Sequence, residues 1–303
     1  MTPHPAPAAA GESVSFGTRI GAYVRLTKPR VVELLLVTTV PAMVLAAQGW
    51  PGTALVAAVV VGGALAAGGA NTINSWIERD RDQLMRRTAD RPIPTGVIPP
   101  THALVFGIVL NVIAFVLITA VANLLAASLT MAATLFYVFV YTIWLKPRTV
   151  QNIVIGGAAG AVPVLVGWAA VTGEVAVAAW ILFAVIFCWT PAHFWALATK
   201  YRDDYAAADF PMLPVLRSPR ETAVQITVYA ALTSVTSLLL GLAVDVGAVY
   251  LIAAGVLGVA FVGRALMLWR DPTPTAAIKF FTFSNVYLST LFVALLVDVF
   301  VRA

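Results

Sequence analysis

The sequence predicts an all-α polytopic membrane protein with nine transmembrane helices. Three observations point there. Of the 303 residues, 60% are hydrophobic and only 11% charged. The mean hydropathy of +0.91 exceeds what a soluble domain needs. Apolar runs of about 20 residues, long enough to cross a bilayer, recur along the chain. The basic residues fall almost wholly on alternate connections.

The nine runs lie at 31–49, 54–75, 103–122, 124–145, 152–172, 175–195, 222–243, 246–268 and 279–301. Connections near 49–52, 122–123, 172–174 and 245–247 are short and carry no Lys or Arg. The other set is basic. Arg19, Arg25, Lys28 and Arg30 precede the first run, and Arg79, Arg81, Arg86, Arg87 and Arg91 follow the second. Lys146 and Arg148 follow the fourth, and Lys200, Arg202, Arg217 and Arg220 the sixth. Arg264, Arg270 and Lys279 flank the last such turn, so one face holds eighteen of the nineteen basic residues. By the positive-inside rule that face is cytoplasmic, with the N-terminus inside and the C-terminus outside.

The net charge of +5 is therefore topological. Nucleic-acid binding would require basic and aromatic residues interleaved on a soluble surface, and no such pattern occurs. The lone Cys188 excludes an internal disulfide and a cysteine zinc cluster, and it reads as a small packed hydrophobe. His4, His102 and His193 are too scattered for a His-rich metal site. Residues 1–18 contain no Lys or Arg and no long apolar core, so they are expected to be a disordered cytoplasmic lead-in without signal or transit peptide. That favours a bacterial plasma membrane over a mitochondrial one. Residues 19–303 are expected to form one domain.

Two cytoplasmic connections, 76–102 and 196–221, are far longer than the rest and follow the second and sixth runs. Their spacing suggests two four-helix repeats plus a ninth helix. In the first, Asn71, Asn74, Glu78 and Asp82 fall within roughly 80° of one another at helical spacing. Two amides and two carboxylates on one stripe are hard oxygen ligands, which magnesium favours when it carries a diphosphate. In the second, Trp189, His193, Lys200 and Asp204 share a stripe if the helix continues past the bilayer. Both loops read as helical extensions, the first until Arg91-Pro92 and the second until Pro211.

Acidic clusters from both loops, with Arg and Lys beside them, could hold magnesium and a diphosphate above an apolar bundle suited to an isoprenoid tail. Metal and cations would stabilise the leaving diphosphate. Aromatic faces among Trp76, Tyr137, Tyr141, Trp144, Trp189, Phe194 and Trp195 would steady a carbocation by about 0.5–2 kcal/mol each; most of these rings read equally well as packing or interfacial anchors.

At this point the residues resemble the UbiA-type intramembrane prenyltransferases, whose first motif is Asn-x-x-x-Asp-x-x-x-Asp. Asn74, Glu78 and Asp82 match it, with Glu in the middle position. Further blocks resemble the haem-farnesylating branch of that superfamily. They are Met85-Arg86-Arg87-Thr88, Arg91-Pro92, Tyr141-Thr-Ile-Trp-Leu-Lys146 and the glycine-rich run from Gln151-Asn152 to Ala161, then Trp189-Thr-Pro-Ala-His193-Phe-Trp195, Asp204-Tyr205 and Pro211-Met-Leu-Pro214. Pro147 stands where that branch has a basic residue, and Asp209 where Gly is expected. The usual second Asp-x-x-x-Asp spacing is also not met.

The resemblance implies a UbiA-type fold of helices around a central cavity. It also implies that the farnesyl group of farnesyl diphosphate is joined to a vinyl group of haem b, with water added and diphosphate released. Asn74, Glu78, Asp82 and Asp204 would hold Mg2+ and diphosphate. Arg86, Arg91, Lys146 and Lys200 would contact phosphate oxygens, and His193 would contact haem through iron or a propionate. Haem A synthase or terminal-oxidase assembly proteins are the partners it suggests.

Rival readings stay open on the sequence. A quinone-precursor prenyltransferase of the same superfamily would use the same diphosphate site. A secondary transporter would place its charges near the bilayer midplane, whereas here the charged residues cluster at one surface, with Glu33 and Asp298 as exceptions near span ends. A lipid phosphotransferase of the CDP-alcohol type would carry an Asp-x-x-Asp-Gly signature, which is absent.

Overall fold

The computed structural model describes residues 15–302, and every regular element within them is helical. α1 (Phe16–Thr27) and α2 (Pro29–Ala47) meet at Lys28; α3 (Thr53–Ile77) leads into the single turn α4 (Arg79–Asp82). α5 (Pro100–Val121) and α6 (Leu124–Leu135) follow, and α6 continues as a π-helical stretch over Phe136–Leu145. α7 (Asn152–Thr172), α8 (Val177–Lys200), the short α9 (Arg202–Ala207) and α10 (Leu213–Leu216), α11 (Pro219–Ala243), α12 (Ala248–Arg270) and α13 (Pro274–Arg302) complete the chain.

Among the described residues eight helices are long and apolar enough to cross a membrane: α3, α5, α6 with its π-helical continuation, α7, α8, α11, α12 and α13. The first expected run, 31–49, falls on α2, whose described apolar stretch Val37–Ala47 is shorter than a span. Of the expected lead-in, residues 1–14 lie outside the described residues. Phe16 to Thr18 instead open α1, where the Thr18 N–H donates to Ser15 Oγ at 3.3 Å as an N-cap. α1 buries Ala22 and Leu26 against Ile93, Ile98 and Ala103. Arg25 ties it to Asp90 at 2.9 Å.

The long helices pack side by side, α3 with α5, α5 with α6, α6 with α7, α7 with α8, α8 with α11, α11 with α12 and α12 with α13, while α2 leans on α7 and α13. Without a hydrophobic force between helices in lipid, close approach relies on small residues and polar contacts. α3 and α5 meet at Gly69 and Gly107, where a Cβ on Gly69 would collide with the Gly107 carbonyl. On the far side, Ser234 of α11 donates to the Gly258 carbonyl of α12 at 3.3 Å.

The end remote from the long loops is closed by Asp298. This wholly buried carboxylate of α13 accepts the Gly247 N–H at 2.6 Å and the Tyr250 N–H at 3.1 Å. It thereby caps the start of α12 from another helix, and Arg302 balances its charge at 3.0 Å.

Candidate active site

The first long loop keeps the helical step at its start. The Glu78 N–H donates to the Asn74 carbonyl at 3.0 Å, and the Asp82 N–H to the Glu78 carbonyl at 2.8 Å. Asn71, Asn74, Glu78 and Asp82 therefore remain on one stripe although α3 itself ends at Ile77. The expected helix up to Arg91 does not form. Thr88 Oγ1 takes the Asp82 carbonyl at 2.9 Å, a side-chain bond that replaces the next helical one, and turns follow to Pro99.

Asn74, Glu78 and Asp82 are all buried, Asp82 completely. Each is met by a cation. Arg91 Nη1 reaches both Asp82 oxygens at 2.8 and 2.7 Å. Lys146 Nζ lies 2.5 Å from Glu78 Oε1, and Lys28 Nζ donates to Asn74 Oδ1 at 2.9 Å. The Asn74 amide in turn donates to Thr142 Oγ1 at 3.2 Å. Burial alone would raise the Glu78 carboxyl. The Lys146 charge and hydrogen bond, helped by Lys28 and Arg91, hold it below its usual value. Burial, reinforced by Arg91 and Lys146, pushes the Lys28 ammonium down to about 7. Sequence reasoning treated Lys28 as an orientation charge and missed this contact, since no motif marks it.

The second loop folds over the first. α8 ends at Lys200, the chain breaks at Tyr201 (φ −105, ψ 25), and α9 carries Asp204. The helix therefore does not run unbroken to Asp204, which the expected common stripe with Trp189 and His193 requires. Asp204 Oδ2 accepts the Arg87 N–H at 3.3 Å. Arg87 lies over the rings of Tyr201 and Tyr205, 5.2 and 5.9 Å from their centroids. Buried Phe210 packs beneath Arg81 at 4.8 Å and Lys146 at 4.6 Å. Burial raises the Tyr205 phenol, keeping it neutral. Asp203 and Asp209 are exposed, and Asp209 is left-handed at φ 53, a conformation glycine adopts without strain.

Magnesium binds through one or two carboxylates plus substrate phosphates rather than in an all-protein cage. Glu78 and Asp82 on one loop, Asp204 on the other, and the Asn74 amide oxygen fit that chemistry. Among the described residues no three carboxylate, imidazole or thiol groups converge as a self-sufficient metal cage.

Below this polar lid lies a cavity of about 320 Å³ between α3, α6, α7 and α8. Its wall is mostly small or apolar, with Ala66, Ala70, Gly156 and Gly160 along it and Asn71, Tyr137, Tyr141 and Phe194 toward the site. Gly156 is required where it stands, because a Cβ there would strike the Tyr141 ring. Tyr137 and Tyr141 lie 5.3 Å apart by ring centroid. The lysine that follows them, Lys146, donates its N–H to the Tyr141 carbonyl at 2.8 Å, the five-residue step of a π-helix.

The remaining predicted residues scatter. Arg86 and Lys200 are exposed at the same face, Lys200 beside the Tyr201 ring at 5.4 Å. Trp144 is exposed, whereas Trp189 and Trp195 are buried in helix packing. His193 stacks on Trp189 at 4.1 Å and faces Phe281 of α13 at 4.5 Å rather than the cavity. Its Nδ1 is 2.7 Å from Ser284 Oγ, and that hydroxyl already donates to the Phe281 carbonyl at 2.6 Å. A hydroxyl has one proton, so Nδ1–H is the donor and Nε2 keeps the lone pair.

The sequence matches the UbiA prenyltransferase family over residues 35–291. The chain belongs to that family. As a UbiA prenyltransferase it is 48% identical to the protoheme IX farnesyltransferase of Salinispora tropica, over 98% of this chain and 98% of the relative. A solved digeranylgeranylglyceryl phosphate synthase structure shares the fold at TM-score 0.76 and 17% identity, covering 93% of this chain and 98% of that one. A UbiA homologue from Archaeoglobus fulgidus, solved with GPP and Mg2+, does so at TM-score 0.64 and 18% identity, over 91% and 99% of the two chains. The UbiA-type, all-helical membrane reading thus holds, with eight of the nine expected runs forming helices of spanning length among the described residues.

Proposed function

We propose that this UbiA prenyltransferase transfers the farnesyl group of farnesyl diphosphate to a vinyl group of haem b, with addition of water, giving haem O and diphosphate. The observation that carries the chemistry is the joined pair of acidic loops over an apolar cavity, locked by the Arg87–Asp204 contact. The near full-length similarity to a protoheme IX farnesyltransferase supports the acceptor.

In this reading the farnesyl tail lies in the cavity and the diphosphate rises between the loops. Asn74, Glu78, Asp82 and Asp204 would hold Mg2+, which neutralises charge on the departing diphosphate. Arg91 and Lys146, already at the carboxylates, turn to phosphate oxygens, with Arg86 and Lys200 at the rim. Tyr137, Tyr141 and Phe194 present their faces where positive charge develops on the allylic carbon. The electron-rich haem vinyl group would attack that carbon as diphosphate leaves, and water would add to the resulting cation with release of a proton. His193, whose ring faces α13 rather than the cavity, would meet the haem through Nε2 only if the haem docks on that side. The loops would face the cytoplasm of a bacterial cell membrane, with the C-terminus outside.

The test is pigment extraction from a haem O-deficient host expressing the chain, paired with membranes given labelled farnesyl diphosphate and either haem b or a hydroxybenzoate. A farnesylated haem is expected. Prenylation of the benzoate alone would overturn the acceptor.

A further inference from the structure

Three oxygen donors at the end of α3 and the start of the first loop are each met by one cation, and each cation comes from a different segment. Arg91 takes Asp82, Lys146 takes Glu78, and Lys28 takes Asn74. Two of those cations are already read as diphosphate contacts. The third stands in the same relation to its partner, yet its sequence context marks it only as one basic residue among several ahead of the first apolar run.

Its structure differs from that of an orientation charge. A lysine at a membrane rim ordinarily runs its stem along apolar surface and places the ammonium in water. Lys28 turns Nζ inward to the buried Asn74 amide at 2.9 Å. The backbone that aims it is left-handed (φ 53, ψ 61), a strained conformation for a lysine and one that clusters at functional sites. The corner is also held from the site. Asn71 Nδ2 donates to the Thr27 carbonyl at 3.2 Å. Gly68 leaves the notch in α3 that admits Thr27, since a Cβ there would lie 3.0 Å from Thr27 Cβ.

We propose that Lys28 is a third diphosphate-binding cation, delivered by the α1–α2 corner and held on Asn74 until substrate arrives. The proposal rests on the reading of this site as a magnesium–diphosphate site. A divalent ion on the Asn74 oxygen would repel the ammonium beside it, so loading the site favours turning Nζ to the incoming phosphate oxygens.

The experiment measures equilibrium binding to the purified full chain, comparing the parent with Lys28→Met and Lys28→Arg. The probes are farnesyl diphosphate with Mg2+, inorganic pyrophosphate with Mg2+, and uncharged farnesol. Loss of one charge-assisted contact is expected to weaken both diphosphate probes by about ten- to a hundred-fold, leave farnesol binding unchanged, and be largely restored in Lys28→Arg. Unchanged diphosphate binding in Lys28→Met overturns the proposal. So does an equal loss for farnesol, which would make Lys28 a structural support of Asn74 alone. If Lys28→Met does not fold, Lys28→Gln, which keeps a donor for Asn74, carries the same comparison. Failure of the parent chain to bind farnesyl diphosphate would instead refute the functional reading, and the inference with it.

Discussion

The Arg87 amide donates to Asp204 Oδ2 at 3.3 Å, joining two loops whose contacting residues lie 117 positions apart. Their meeting makes one lid out of two acidic segments, and it separates the charge of Asp204 from its structural part. Asp204→Asn keeps an acceptor for the Arg87 N–H and removes only the charge. Farnesyl transfer to haem should fall about 100-fold, with the thermal midpoint shifted by no more than about 2 °C. Haem extraction and thermal melting check the two halves, and full activity in the variant would remove Asp204 from the site.

The Glu78–Lys146 pair is buried, so its two halves are not separately dispensable. Lys146→Met strands the Glu78 carboxylate and should cost about 3–5 kcal/mol. The double variant Glu78→Gln/Lys146→Met should recover most of that loss in a denaturation cycle. Additive losses would mean the pair is not coupled. The carboxyl of Glu78 is held below its usual value, so its stabilisation is present above the unfolded carboxylate range and is lost as pH falls through the lowered value. Glu78→Gln should lack that part of the acid limb.

Gly160 lines the cavity, and a Cβ placed on it meets nothing within 4 Å. Gly160→Leu should therefore fill tail space without disturbing the helices. Use of farnesyl diphosphate should drop by about tenfold or more relative to geranyl diphosphate, read by mass spectrometry of products from an equimolar mixture. An unchanged preference would place the tail elsewhere.

Asp298 is remote from the lid. Asp298→Ala leaves two N–H groups of the α12 start without their acceptor and Arg302 with Asp245 alone. Stability should fall by about 2–4 kcal/mol, while the turnover of the folded fraction stays at the parent value. A lowered turnover at equal folded amount would contradict a purely structural role.

The spans and the Asn74–Glu78–Asp82 stripe were legible in the sequence because each depends on local periodicity, which a single helix expresses in full. Lys146 and Arg91 were legible as cations in the right layer. The pairing of each with one carboxylate was not, since Lys146 and Glu78 are 68 positions apart. Lys28 was hidden by its neighbours, because a lysine before proline among other basic residues carries a topological meaning of its own. The helix ends after Asp82 and at Tyr201 were also hidden. Thr88 stops the first through a side-chain bond that no spacing rule announces. His193 stood out in the sequence, but its partner Ser284 lies 91 positions away on α13, so its ring orientation required the fold. Asp209 stood as an unexplained departure until its left-handed backbone showed why glycine suits that position.

The loosely wound stretch Phe136–Leu145 has a consequence for how this chain can vary. Because its hydrogen bonds skip five residues, it holds more chain per turn than the helix above it, and that surplus sets the direction in which Tyr137, Tyr141 and Lys146 leave the axis. Removing one residue there would tighten the winding and swing the lysine away from Glu78 while leaving every local side chain intact. Length, more than composition, is what this segment must conserve.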